Sequence, residues 1–279
     1  SRFGDTLPFL FKVLSASHPL SIQAHPSKKD AEKGFARENA QNIPISAPER
    51  NYRDTNHKPE IILALTDFTA MCGFRQIEET SALVRETKIR ELLSVVAALE
   101  SSGSYSEFLS GLWNLDKAVK KTILAALSEY LEDIPDSTES NAEKHPFAAV
   151  KLLQNEHPDD IQIIAPLYLN TIMLKPDEAL FLPAGILHAY LHGTGIELMA
   201  NSDNVLRGGL TSKHIDSAEL LAVLDPSPYC PQRIIPTPGD IRSIYTTPAE
   251  EFELSVIQVE SHPSALSIHQ PSILLVTHG

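Results

Sequence analysis

The chain lacks any dense tract of Lys or Arg, and its formal net charge is −13. A protein that binds nucleic acid needs a cationic stripe against the phosphate backbone, so we expect no nucleic-acid partner. The chain also lacks an apolar run that approaches the roughly 20 residues of a membrane-spanning helix. Membrane attachment therefore has no support in the sequence.

Cysteine is scarce, with only Cys72 and Cys230 among 279 residues. Two thiols in a chain of this length more often stay reduced in an intracellular protein than form a disulfide framework. Residues 1–4, Ser-Arg-Phe-Gly, include neither an initiator Met nor the charged and apolar parts of a secretory signal. These features predict a cytoplasmic protein.

Short apolar runs are abundant, and most of the 20 prolines lie between them, a pattern that favours many short strands and turns. Residues 76–157 differ, because Leu92, Leu93 and Val96 belong to apolar stripes at helical spacing. We predict a mainly β body of residues 1–75 and 158–279, interrupted by an all-helical insertion over 76–157. The predicted strands are 8–15, 20–25, 59–65, 68–74, 168–174, 179–182, 186–191, 196–200, 252–259, 265–269 and 273–277.

Two polar clusters lie on predicted strands of the first part. Ser21, Gln23 and His25 share one face of a strand, because side chains alternate with period two; this face is either solvent-exposed or lines a pocket. Glu60 enters the apolar strand 61–65, where a buried carboxylate is expensive unless it is paired or bound to metal. A surface pair with Lys58, on the same face, is the alternative interpretation.

A third cluster is the Pro-x-Gly-x-x-His pattern that ends at His188, which is typical of the second metal motif of cupins. His192 shares the face of His188, but its position beside Gly193, at the expected strand end, favours a structural role. Together the clusters offer two imidazoles, one carboxylate and one amide, which is a reasonable set for zinc or for Mn, Fe, Co or Ni. The candidate metal ligands are Gln23, His25, Glu60 and His188.

Charged residues follow in the stretch 195–213, where a strand with Glu197 runs into a loop containing Asp203, Arg207 and Lys213. The plain interpretation is a charged loop with a helix cap at Ser202 and Asp203. In an acidic chain, however, cations close to a metal motif indicate an anionic ligand.

The segments 8–14, 20–26, 56–60, 188–190 and 199–207 resemble, in order, the motifs of type I phosphomannose isomerases. The resemblance implies a cupin-like β-barrel (jelly-roll) body with an inserted helical domain and one zinc ion per chain, held by the four candidate ligands. It implies a monomer that interconverts mannose 6-phosphate and fructose 6-phosphate through a cis-enediol. The implied cavity residues are Lys12, Lys58, Tyr190, Glu197, Asp203 and Arg207, with Ser21 and Lys213 as phosphate contacts.

The resemblance leaves the catalytic roles open. Arg207 or Lys58 can stabilise the enediolate, Lys58 and Glu197 are rival bases, and Asp203 with His57 can assist ring opening. Where the family has Thr-Pro-Lys, the chain has Thr-Ser-Lys at 211–213, and family segments are missing at both ends, so we expect a truncated chain with an incomplete second barrel. The alternatives are another metal cupin, such as an iron oxygenase, and a non-catalytic metal- and sugar-phosphate-binding cupin.

Overall fold

A computed structural model of the chain describes residues 6–134, 145–237, 242–259 and 270–277. Its strands are β1 (Phe9–Ala16), β2 (Ile22–Ala24), β3 (Glu60–Ala64), β4 (Phe68–Phe74), β5 (Leu169–Leu174), β6 (Ala179–Leu182), β7 (His188–Ala200), β8 (Leu206–Gly209), β9 (Arg233–Ile234), β10 (Arg242–Tyr245) and β11 (Leu254–Ile257). Its helices are α1 (Lys28–Ala40), α2 (Ile77–Glu86), α3 (Arg90–Ser102), α4 (Tyr105–Trp113), α5 (Lys117–Glu132), α6 (Pro146–Glu156), α7 (Ala165–Tyr168) and α8 (Ser217–Val223), with a 3-10 helix at Ile161–Ile164.

Strand β7 is the centre of an antiparallel sheet that bends into a barrel-like body. Its first half pairs with β4 and touches β2, and its second half lies between β1 and β3. Strands β5 and β6 extend the sheet on the β4 and β3 side, and β8 pairs with β2. One strand therefore contacts every segment that carries a predicted metal ligand.

A β-bulge divides β7 into its two halves. His192 is opposite Thr69 and Tyr190 is opposite Ala70, so that Leu191 has no partner on β4. Gly193 follows with φ of 120°, and a Cβ there would lie 2.7 Å from the carbonyl oxygen of Asp67, so the position requires glycine. An extra residue on one strand reverses which face the following side chains occupy.

The helices α2 to α6 lie between β4 and β5 in the chain, as predicted for 76–157. Their apolar stripes form one buried cluster with residues of the β body, for example Leu99 and Leu112 with Leu206. The predicted fold class, a mainly β cupin-like body with inserted helices, is confirmed by this architecture. The exact domain boundaries at 75 and 157 stay a prediction. None of the helices in the described part of the chain has the combined length and apolarity that a membrane span requires.

Three strand predictions differ from the structure. The two strands predicted at 186–191 and 196–200 are the single strand β7, so Gly193 is not at a strand end. The stretch around Arg207, predicted as a loop, contains β8, because backbone pairing with β2 stabilises it there. Residues 273–277 form no strand and are exposed, and the predicted strand 265–269 lies outside the described residues. Cys72 and Cys230 are both free thiols.

Candidate metal centre and active site

Three predicted metal ligands meet in the interior of the barrel. His25 follows β2, while Glu60 and His188 are the first residues of β3 and β7. The Nε2 atom of His25 lies 3.3 Å from Glu60 Oε1, and that of His188 lies 3.5 Å from Glu60 Oε2. Their ligand atoms all fall within 4.8 Å of one another, and none of the three residues is more than 1% exposed. This geometry can hold one metal ion.

Both imidazole rings are oriented for metal binding by hydrogen bonds on their other nitrogen. His25 Nδ1 donates to the carbonyl oxygen of Asn204 at 2.7 Å, and His188 Nδ1 donates to that of Ile186 at 2.9 Å. A carbonyl oxygen can only accept, so each ring carries its proton on Nδ1 when it is neutral. The lone pair of Nε2 therefore points at Glu60, which is the arrangement that backbone acceptors impose on metal-binding histidines.

The buried atoms between these residues lack hydrogen-bond partners. Within the described ranges, His25 Nε2 and both carboxylate oxygens of Glu60 have none. The Nζ of Lys58 lies 2.9 Å from Glu60 Oε1 and forms an ion pair with that oxygen. Leaving buried polar atoms unpaired is costly, and a divalent cation would satisfy all of them at once. The residues present thus fit a metal ion.

The ionisation of the group also suits a metal. Burial lowers the pKa of His25 despite the attraction of Glu60, so the ring is neutral at pH 7. Burial alone would raise the pKa of Glu60, but His25 and Lys58 hold it well below its usual value. A neutral imidazole and an ionised carboxylate are the forms that bind metal.

The fourth predicted ligand, Gln23, is placed by its neighbours in the sheet. Its register partners are His188 on β7 and Arg207 on β8, so the three side chains stand in one row across adjacent strands. The Gln23 amide lies 3.4 Å from His188 Nε2. Gln23 is thereby beside the metal group, and Arg207 is on its other side.

Tyr190 lies on the first half of β7 and Glu197 on the second half. The bulge between them changes which face of the strand the following side chains occupy. Burial, assisted by the charge of Glu60, raises the pKa of Glu197 to about 7, and Lys12, its register partner on β1, acts in the opposite direction. Burial and the charge of Glu197 raise the pKa of the Tyr190 hydroxyl well above its usual value. A carboxyl group that titrates near pH 7 can take up and return a proton at neutral pH.

The remaining predicted residues lie further out. Asp203 is exposed and lines a cavity of about 720 Å³ together with Arg53, Asp54, Asn56 and Asn201. His57 does not bond Asp203; its Nε2 lies 2.6 Å from Glu251 Oε1. Ser21 is half-buried immediately before β2, and Lys213 is exposed beyond β8. The structure does not bring these two to the metal group through any contact among the described residues.

Asn204 is a site residue that the sequence analysis missed. It is completely buried, its carbonyl oxygen orients His25, and its side chain connects it to the segment 53–56. The amide nitrogen donates to the carbonyl oxygens of Asp54 and Asn56, and the amide oxygen accepts from the Arg53 and Asp54 nitrogens. The position lies within the motif at 199–207, but its role depends on contacts about 150 residues away in the chain.

Replacing Asn204 with alanine is expected to lower the free energy of unfolding by about 2–4 kcal/mol, because it leaves several buried backbone groups unpaired. The measurement is urea denaturation of both proteins. The matched control is Asn114→Ala, at an exposed asparagine whose side-chain amide donates to Ser110 Oγ. An Asn204 variant no less stable than the Asn114 variant would contradict the structural role given to Asn204.

Comparison with known proteins identifies relatives along the whole chain. The family profile "Phosphomannose isomerase type I, catalytic domain" matches residues 1–77. The mannose-6-phosphate isomerase of Salmonella typhimurium is 38% identical over 282 residues, which cover 100% of this chain and 70% of that protein. A solved phosphomannose isomerase variant from Salmonella typhimurium has a TM-score of 0.83, and a zinc-bound mannose 6-phosphate isomerase has one of 0.80. Both are 38% identical and cover 91% of this chain, which spans 64% of theirs.

Proposed function

The chain belongs to the type I phosphomannose isomerase family, and from that membership we propose that it interconverts mannose 6-phosphate and fructose 6-phosphate as a zinc-dependent enzyme. The substrate assignment rests on the names of the relatives, and the metal assignment rests on the zinc bound in the solved structure. Since the chain spans about two thirds of those solved structures, activity of this chain alone is part of the proposal. Its cytoplasmic location and monomeric state stay predictions.

The observation that carries the proposal is the buried group of His25, Glu60 and His188, with three polar atoms that lack hydrogen-bond partners within the described ranges. Gln23 beside His188 completes a donor set of two imidazoles, one carboxylate and one amide. Zinc accepts this mixture of ligands. When bound, zinc acts as a Lewis acid that polarises the sugar oxygens on which negative charge develops.

The side chains of the chain supply the other requirements of an aldose–ketose isomerisation. The reaction moves a proton between C1 and C2, so it needs a base near both carbons and a cation near the enediolate oxygens. Arg207 lies opposite Gln23 in the sheet and therefore supplies positive charge beside the metal group. Asp203, in the outer cavity, is available for ring opening, whereas His57 is occupied by Glu251.

Glu197 is the better supported of the two candidate bases. Its carboxyl group is largely buried and its pKa is raised to about 7. Lys58 is held 2.9 Å from Glu60, and transfer of its proton would remove the charge that balances this carboxylate. We therefore assign the proton transfer to Glu197 and keep Lys58 as the rival.

Replacing Glu197 with glutamine is expected to lower kcat by about 100- to 10,000-fold, the usual contribution of a positioned general base. The variant should also lack the decrease in activity that is expected of the wild type at acid pH, because that decrease comes from protonation of the Glu197 carboxylate. The measurement is the pH profile of kcat with zinc content determined in parallel. If Glu197→Gln keeps the wild-type profile and Lys58→Met loses it, the base is Lys58.

The proposed function is tested by following the conversion of fructose 6-phosphate to mannose 6-phosphate. The chain is assayed as purified, after treatment with a chelator, and after zinc is restored. Activity that disappears on chelation and returns with zinc supports the proposal in full. A folded, zinc-loaded chain without turnover contradicts it and favours a metal- and sugar-phosphate-binding protein.

A further inference from the structure

Strand β8, which carries Arg207, is held on one side by the sheet and on the other by the inserted helices. Among the described residues, its only strand partner is β2, with Arg207 opposite Gln23. Two side chains from outside the sheet bond the backbone of β8 and of the residue that follows it. The indole Nε1 of Trp113, at the end of α4, donates to the carbonyl oxygen of Gly208 at 3.2 Å. Asp160 accepts at Oδ2 from the Leu210 backbone nitrogen at 2.7 Å.

Both of these residues make a further hydrogen bond, Asp160 through its side chain and Trp113 through its backbone. Asp160 caps the 3-10 helix, because its Oδ1 accepts from the Gln162 nitrogen at 2.9 Å. The carbonyl oxygen of Trp113 accepts from Lys120 Nζ at 2.8 Å. The 3-10 helix lies directly on the strand, since a Cβ at Gly209 would be 2.4 Å from Gln162 Cγ. Side chains of the helical region therefore hydrogen-bond the backbone on either side of Gly209.

We infer that Trp113 and Asp160 are positioning residues, which set the Arg207 strand in register with Gln23 and thereby align the guanidinium for catalysis. The inference rests on the proposed function, since it assigns Trp113 and Asp160 a task in that reaction through Arg207. A side chain stabilises a transition state only in the correct geometry, and a misplacement of about 1 Å can cost about 100-fold in rate. Strand β8 is only four residues long and contains two glycines, which add no side-chain contacts of their own, so bonds to its backbone matter more for its position.

The first variant is Trp113→Phe, which keeps an aromatic ring and removes the N–H donor. We expect kcat to fall about 10-fold, within the range for a misplaced catalytic group. The KM for fructose 6-phosphate and the zinc content should stay near wild type. The matched control is Tyr130→Phe, which removes an aromatic donor that bonds Glu86 in the same helical segment, away from β8. This control should leave kcat unchanged.

A double-mutant cycle then tests whether Trp113 acts through Arg207. In an Arg207→Ala background the Trp113→Phe change should have no further effect on kcat, because the group that it positions is gone. The same loss in both backgrounds would overturn the inference and leave Trp113 as a packing residue. If Trp113→Phe does not fold, Asp160→Asn takes its place in the cycle, since it weakens the acceptor for Leu210.

Hydrogen–deuterium exchange supplies a readout that does not depend on activity. Amides over 206–210 should exchange faster in Trp113→Phe than in wild type, and at the wild-type rate in Tyr130→Phe. An active wild-type protein in which Trp113→Phe and Tyr130→Phe match in both kcat and exchange would overturn the inference. A folded, zinc-loaded wild type without turnover would instead overturn the proposed function, and the two failures are thus distinguishable.

Discussion

Replacing Glu60 with glutamine is expected to produce a folded chain that retains little zinc and has lost at least about 1000-fold in kcat, since Lewis-acid catalysis supplies several kcal/mol. Glu60 is the only carboxylate of the metal group, and both of its oxygens face the two imidazoles. An amide of the same shape carries no charge and offers a single oxygen, so it balances a divalent cation poorly. The neutral side chain fills the same volume and should leave the fold in place.

The measurement is zinc per chain after exhaustive dialysis, with turnover and circular dichroism recorded on the same samples. The matched control is Glu100→Gln, at an exposed carboxylate paired with Arg85. This control should keep both zinc and activity. A Glu60→Gln chain that holds one zinc per chain as tightly as wild type would remove Glu60 from the ligand set.

Replacing Arg207 with alanine should lower kcat by about 100- to 1000-fold while zinc stays bound, the usual loss when one group that stabilises a developing oxyanion is removed. Arg207 stands beside Gln23 in the sheet, outside the three buried ligands. Burial and the neighbouring charge of Arg53 lower the pKa of the Arg207 guanidinium, which remains a cation at neutral pH. The change therefore removes a positive charge beside the metal group without replacing any of the predicted ligands.

The Arg207 prediction is checked by steady-state kinetics in both directions of the isomerisation, with zinc content as a second readout. Arg85→Ala, which breaks the exposed pair with Glu100, is the matched control and should have wild-type kcat. Retained turnover in Arg207→Ala would take Arg207 out of the catalytic set. Loss of zinc in the same variant would instead assign it to support of the metal ligands.

The metal group could be predicted because its signals are local. The period of two on a strand, the carboxylate that opens an apolar strand and the Pro-x-Gly-x-x-His turn each fall within a few residues. The fold class followed from the contrast between short apolar runs and the helical stripes of residues 76–157. These patterns depend on neighbours in the chain, so one sequence is enough to find them.

The parts that sequence analysis missed depend on distant partners. Strand β8 contains Gly208 and Gly209, which have low strand propensity, and it is a strand only because β2 lies beside it. Residues 273–277 show the reverse, because their apolar composition favours a strand but they are exposed and form none. Trp113 and Asn204 bond backbone groups about 95 and 150 residues away, and no local pattern marks such contacts.

The bulge at Leu191 makes the site sensitive to the number of residues in β7 as well as to their identity. His188 and Glu197 are nine positions apart, an odd spacing that in a regular strand would put them on opposite sides of the barrel wall. The unpaired Leu191 adds one residue to the strand and cancels this effect, so the Glu197 carboxylate and the His188 imidazole both face the interior. Removing a single residue between Tyr190 and Glu197 would turn Glu197 outward without altering any ligand. An insertion or deletion here would therefore displace Glu197 from the site, whereas a substitution in the same stretch would leave its facing unchanged.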